Sequence, residues 1–192
     1  MPTVELPKHY DPSAAERPIY ERWEASGLFN PDNLPAGGAP FTISMPPPNV
    51  TGVLHAGHAM FLTIQDIFIR HARMTGRRAL WVPGTDHAAI ATQAKVEREI
   101  SKKEKKSRYD LGREELLRRV TDYALASQST ILSQMRAMGA SCDWSRLAYT
   151  LDEPRNRAVN EAFRRLYDLG LGGRLLLGRP HAVGAAEKFR SV

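Results

Sequence analysis

The sequence predicts an α/β fold, with the first strands of a parallel sheet and flanking helices, from three observations. Two short β-prone runs, Phe41-Thr-Ile-Ser-Met45 and Ala79-Leu-Trp-Val82, each end at proline. A helical-length apolar stretch separates them, and further helical patterns follow the second. Strands alternating with helices of this kind read as βα units rather than as a sandwich or a bundle.

The elements follow in order. Residues 12–28 read as an amphipathic helix that stops at Gly27, before a Pro/Gly loop from Pro31 to Pro40. The first strand, near 41–45, runs into Pro46-Pro47-Pro48, which cannot be helical in series. A helix from about 57 carries Met60, Phe61, Leu62, Ile64, Ile67, Phe68 and Ile69, apolar nearly all round, and is expected to be buried against the sheet. Gly76 ends it; His71, near its end, reads as a surface or capping residue. The second strand, near 79–82, stops at Pro83-Gly84, and Thr85 or Asp86 is expected to cap a helix from about 87. From about 110, Leu117, Val120, Ala124, Ile131, Met135 and Met138 mark a long helix with one apolar stripe, closed by Gly139. Asp143-Trp144-Ser145 reads as a turn with a buried aromatic. A last helix, from about 154, uses Val159, Ala162, Phe163, Leu166 and Leu169, and Gly170 ends it.

Chemistry concentrates where these strands end. His55-Ala56-Gly57-His58 opens the first apolar helix directly after the rigid turn. Backbone N–H groups at a helix start lack intrahelical partners and lie at the positive end of the macrodipole, which suits phosphate. Two imidazoles there can donate to charge developing on phosphate oxygens, and Gly57 permits close approach of a ligand to the backbone. Zinc is the competing reading, because His-x-x-His puts both rings on one helical face. A zinc site needs more ligands, and the chain offers one cysteine, Cys142, and no second clustered histidine pair; no metal ligands are assigned. A third reading is that the histidines only cap the helix. Asp86, at the end of the second strand, is either an N-cap or a carboxylate placed for an ammonium group, since open α/β sheets bind ligands at this edge.

The bulk composition is that of a soluble globular protein: 192 residues, 42% hydrophobic and 25% charged, enough for one domain or one and a half. One cysteine excludes an internal disulfide and fits a reducing compartment. No apolar run approaches a membrane span and no signal peptide precedes Met1-Pro-Thr-Val-Glu-Leu, so a cytoplasmic location and no membrane partner are expected. The net charge of +6 suits a phosphate-rich partner. Its largest run is Lys102-Lys103-Glu104-Lys105-Lys106-Ser107-Arg108; most such runs are solvated helix faces.

Pro46-Pro-Pro-Asn-Val-Thr-Gly-Val-Leu-His-Ala-Gly-His58 resembles the "HIGH" signature of the class I aminoacyl-tRNA synthetases, in the form used by the valyl branch. Gly84-Thr-Asp-His-Ala-Ala-Ile-Ala-Thr-Gln93 resembles a second element of that branch, with Ala89 where a glycine is usual. Leu6-Pro-Lys-His-Tyr-Asp-Pro12 and Gly139-Ala-Ser-Cys-Asp-Trp-Ser-Arg146 agree as well, so the likeness covers roughly residues 4 to 171. It implies the first half of a Rossmann-like, doubly wound parallel sheet, with residues 1–40 as a helical extension and 41–171 as the first part of the nucleotide-binding domain. It implies ATP, with Mg²⁺, as substrate and valine and tRNA(Val) as partners. The ATP segment is then Pro48, Asn49, Val50, Thr51, Gly52, Val53, Leu54, His55, Ala56, Gly57 and His58, with His55 and His58 catalytic at the α-phosphate. Pro47, Asn49 and Asp86 become the amino-acid pocket, with Asp86 pairing the ammonium. The lysine-rich run becomes a candidate for tRNA contact.

After Leu171 the resemblance stops. Residues 172–192 hold four glycines, four Lys or Arg and one acid, with no clear period, a bias that out-of-frame translation of a GC-rich gene produces. A natural short paralogue with its own tail is the alternative. No Lys-Met-Ser-Lys-Ser-like loop occurs, nor the second half of the sheet, an editing domain or an anticodon-binding region. Two functions are therefore expected to compete: a valine-activating ligase fragment with little activity by itself, and a non-catalytic protein that binds ATP, valyl-adenylate or tRNA.

Overall fold

The computed structural model describes residues 9–171, which fall into two compact units divided between Ala148 and Tyr149. The tail at 172–192 and the first residues of the Leu6–Pro12 motif lie outside the described residues.

The first unit contains α1 (Pro12–Ala25), β1 (Pro40–Ser44), α2 (Ala56–Met74), β2 (Arg78–Val82), β3 (Gly84–Thr85), α3 (Ala89–Glu104), α4 (Arg108–Leu111) and α5 (Arg113–Ala137). Short 3₁₀ turns occupy Pro31–Asn33 and Trp144–Arg146, and β4 (Ala148–Tyr149) spans the division. β1 and β2 pair in parallel, from Pro40 opposite Arg78 to Ser44 opposite Val82, with α2 as the crossover that parallel strands require. The expected α/β class with parallel strands and flanking helices therefore holds.

Beyond β1 the ladder continues with altered partners. The Met45 N–H donates to the Val82 carbonyl at 3.0 Å. Three prolines supply no donors, so the next bonds are the Asp86 N–H to the Pro48 carbonyl (2.9 Å) and the Val50 N–H to the Asp86 carbonyl (2.8 Å). On the other side, the Asp143 N–H reaches the Trp81 carbonyl at 3.0 Å and the Ala148 N–H reaches Pro83 at 3.1 Å. Trp81 is fully buried, with its indole N–H on Gln65 Oε1 at 3.0 Å, and Leu62, Ile69, Ile131 and Met135 fill the same core.

A polar clamp locks the helices behind this core. Asp66 Oδ1 accepts from the Ser141 hydroxyl (2.5 Å), while Arg73 donates to Ser141 Oγ (2.6 Å) and its carbonyl (2.8 Å). Arg70 donates to the Gly139 carbonyl at 2.8 Å. The buried Tyr20 hydroxyl donates to the Ala140 carbonyl (2.8 Å) and accepts from the Trp144 indole (2.7 Å). Arg136 grips Glu24 through two bonds of 3.0 Å and stacks over Trp144 at 4.0 Å. Polar groups joined across these helices fix the approach of α1, α2 and α5.

Several expectations change. α2 is not buried all round: Leu62, Ile69 and Ala72 face the sheet, but Met60, Ile64, Ile67 and Phe68 are 47–65% exposed. A two-stranded pair covers one side of a helix, and those four residues lie on the other. The long helix starts at Arg113 because Gly112, at φ +77°, breaks it from the single turn α4. Its stripe is buried at Ala124, Ile131 and Met135, whereas Leu117 and Met138 are exposed. Trp144 is half-buried and lies in a 3₁₀ turn.

The second unit's described part holds α6 (Glu153–Asp168), capped by Asp152 Oδ1, which accepts the Arg155 N–H at 3.0 Å. Its stripe of Val159, Phe163 and Leu166 is 42–61% exposed.

Candidate functional site

The 49–58 segment and Asp86 meet because Asn49 and Asp86 form a parallel β-bridge just past the end of the β1–β2 pair. Pro47, Pro48 and Asn49 thus run beside Gly84, Thr85 and Asp86. Gly84 is buried, and a Cβ there would lie 3.6 Å from the Pro47 ring, an ordinary contact distance.

At the start of α2 the two histidines cap one another's backbone. His55 is the N-cap, and its Nδ1 accepts the Gly57 N–H at 3.1 Å. His58, three residues on, accepts the His55 N–H on its own Nδ1 at 3.1 Å. This is a capping box in which imidazoles do the work usually done by Ser/Thr and Glu. The rings lie 3.9 Å apart between centroids, and His58 also meets the Phe61 edge at 5.8 Å. Burial, and then the neighbouring His55, hold the His58 imidazole below its ordinary pKa.

The tautomers follow from these bonds. A neutral imidazole that accepts on Nδ1 carries its proton on Nε2. Both rings therefore present an Nε2–H donor. The expected unpaired N–H groups at this helix start are largely consumed, because Gly57 is taken by His55 Nδ1 and the His58 N–H by the His55 carbonyl at 2.9 Å. The rings, backed by the helix dipole, become the donors an anion would meet.

Gly57 makes room for the His55 ring. A Cβ there would stand 3.0 Å from His55 Cε1 and 3.1 Å from Nδ1, tighter than ordinary contacts. With no side chain at Gly57, the imidazole folds over the backbone without having to shift.

Asp86 is half-buried, and its Oδ1 accepts the Ala88 N–H at 3.2 Å and lies 3.4 Å from His87 Nδ1. It braces the loop and does not cap α3, whose N-cap position is Ala88 in the left-handed region (φ +43°) with no side-chain cap; Thr85 lies in β3. The strained residue is Ala88, not Ala89, so alanine at 89 is tolerated where a glycine is usual.

Sequence reading missed the residues that hold the loop. Gln134 Oε1 accepts the Leu54 N–H at 2.8 Å. The Thr51 carbonyl accepts from Lys95 Nζ (2.7 Å) and from the Tyr123 hydroxyl (2.9 Å). Gln128 donates to Thr85 Oγ1 at 2.7 Å. Tyr123, Gln128 and Gln134 flank the buried stripe of α5, a position shared with ordinary solvated residues, so no local pattern marks them. The lysine run lies at the exposed α3–α4 junction, where Lys103 pairs with Glu99 and Glu104 with Arg119.

The family model for class I tRNA synthetases (I, L, M and V) matches residues 18–175. The chain is 53% identical over 167 residues to the chloroplastic/mitochondrial valine–tRNA ligase 2 of Arabidopsis thaliana, covering 87% of this chain and 17% of that protein. It is 50% identical to the valine–tRNA ligase of Chlamydia trachomatis serovar A (87% and 18%) and 52% identical to that of Carboxydothermus hydrogenoformans (88% and 19%). It thus spans less than a fifth of the length of these relatives. Among solved structures, LeuRS from Agrobacterium radiobacter, in a ternary complex with tRNA and LeuAMS, matches with a TM-score of 0.68 at 18% identity, over 85% of this chain and 19% of that one. The chain belongs to the class I tRNA synthetases and resembles the N-terminal portion of the valine–tRNA ligases.

Proposed function

We propose that this chain carries the adenylate-forming site of a cytoplasmic valine–tRNA ligase, which activates valine with ATP and passes the valyl group to tRNA(Val). The observation that carries this reading is the pair of mutually capping imidazoles, His55 and His58, at the end of a segment whose Asn49 forms a backbone bridge with Asp86. In this reaction a valine carboxylate oxygen attacks the α-phosphorus of ATP, the bond to the pyrophosphate oxygen breaks, and pyrophosphate leaves. Negative charge grows on the α-phosphate oxygens, where the two Nε2–H donors and the positive end of α2 stabilise it. The Asp86 carboxylate pairs with the valine ammonium, and Pro47 and Asn49 complete that pocket. Positioning supplies most of the rate, because little covalent chemistry falls to the protein. Mg²⁺ accompanies ATP in this reading, carried mainly by phosphates and water. Among the described residues no three His, Cys, Asp or Glu side chains converge on a point that would hold it.

The test is valine-dependent ATP–pyrophosphate exchange beside calorimetric titration of MgATP and valine. The chain alone is expected to bind MgATP saturably with little exchange, and exchange is expected to return when the C-terminal portion of a valine–tRNA ligase is supplied. Asp86→Asn, which keeps an acceptor for Ala88, is expected to abolish valine binding and spare ATP. Binding with no exchange even after that complementation would favour a non-catalytic ATP- or adenylate-binding protein. Failure of the wild-type chain to bind MgATP would sink the reading.

A further inference from the structure

The loop between the Pro-rich turn and α2 is held at two points by elements distant in sequence. Thr51 is held through its carbonyl by Lys95 and Tyr123, and Leu54 through its N–H by Gln134. Gly52 and Val53 lie between the two pins, and Val53 is 67% exposed. Leu54 immediately precedes the N-cap, so the Gln134 bond fixes the Val53–Leu54 peptide plane, one residue before the peptide that carries the His55 N–H. Rotation of that plane, passed on through the Leu54 backbone torsions, would carry the His55 ring away from the Gly57 N–H and the His55 N–H away from His58 Nδ1.

Gln134 is well placed for this. It sits in the last turn of α5 next to Met135, which is fully buried, with Ile131 one turn back also at zero exposure. Its backbone is thereby immobilised in the core while its carboxamide reaches out at 2.8 Å. A donor held by a rigid partner keeps its direction without ordering cost when a ligand arrives.

We propose that Gln134 is a positioning residue for His55, setting through the Leu54 N–H the geometry in which both imidazoles offer Nε2–H to phosphate. The proposal rests on the nucleotide reading above only for the ligand; the effect on the rings exists without nucleotide. Gln134→Met keeps the length and packing but removes the acceptor. Gln134→Glu keeps the acceptor.

The experiment is nitrogen NMR of the full chain, reading the His55 and His58 ring nitrogens and the hydrogen exchange of the Leu54, His55 and Gly57 amides, with MgATP titrated afterwards. Gln134→Met is expected to shift the His55 ring signals and to speed exchange at all three amides. It should weaken MgATP binding about fivefold, the loss of one hydrogen bond's worth of positioning. Gln134→Glu is expected to restore the ligand-free signals. Unchanged His55 signals and exchange in a folded Gln134→Met would overturn the proposal, as would failure of Gln134→Glu to restore them. Should Gln134→Met not fold, Gln134→Asn, which withdraws the carboxamide by one methylene, is read in the same way. A wild-type chain that does not bind MgATP overturns the nucleotide reading, and the ligand-free spectra then decide the positioning role alone.

Discussion

Two helices begin beside the same sheet edge, and they solve the problem of their first turn in opposite ways. At α2 the donors are satisfied by side chains, with His55 and His58 each accepting a backbone N–H. At α3 there is no side-chain cap, and the chain enters through Ala88 in a left-handed conformation. The carboxylate that sequence alone would assign to capping α3 instead braces the turn before it. One helix start holds its polar side chains against its own backbone and leaves the far ring nitrogens as donors. The other leaves Asp86 beside the Pro48–Val50 backbone. A strand–turn–helix pattern thus dictates where chemistry is presented, and the side chains at the turn decide which charge is presented.

The largest effect separating the two starts should come from His55. His55→Asn keeps an N-cap acceptor, so stability should stay within about 0.5 kcal/mol, while His55→Ala should cost about 1 kcal/mol. Both variants remove the Nε2–H and should weaken MgATP binding by about tenfold or more, as loss of a hydrogen bond to a charged group implies. Denaturant titration beside calorimetry reads the two quantities separately. Equal stability loss in both variants would show that the ring does not cap.

Gly57→Ala comes next. Alanine favours a helix by about 1 kcal/mol over glycine, yet the new Cβ would displace the His55 ring. Unchanged or higher stability with several-fold weaker MgATP binding is expected, and equally strong binding would disprove the ring placement.

Acid should loosen α2 and spare α3. Because burial holds folded His58 below its ordinary pKa, the unfolded chain takes up a proton first, near pH 6.5. The stability His58 contributes is therefore complete above about pH 6.5 and is lost as the pH falls through the lower folded value. Protection of the His55 amide should drop between pH 7.5 and 5, whereas that of Thr92, in the first turns of α3, should not. Parallel loss at both would mean global unfolding.

The smallest effect belongs to α3. Ala88→Gly relieves a left-handed alanine, worth about 1 kcal/mol or more, against the extra unfolded-state freedom of glycine. A gain of about 0.5 kcal/mol is expected in denaturant titration, with MgATP binding unchanged.

Much of this molecule is legible in its amino-acid order. The strands lie within a residue of the Phe41 and Ala79 runs, and the helices stop at Gly76, Gly139 and Gly170, all at positive φ. Proline and glycine act through their own φ and ψ, and apolar periodicity reports a face, so both are readable from neighbours a few positions away. His55, Gly57, His58 and Asp86 stand out as a candidate site for the same local reason, whereas the rest of 47–56 enters it only through the family resemblance. Tertiary structure alone decided three other matters. It left one apolar face of α2 outside the β1–β2 pair, and it set the backbone of Asp86 beside Asn49. It also brought Gln134 to Leu54 across 80 residues and Ser141 to Asp66 across 75. Such partners are chosen by how finished helices pack, because a hydrogen bond needs a donor and acceptor within about 3 Å and carries no trace of that meeting in either residue's own surroundings along the chain.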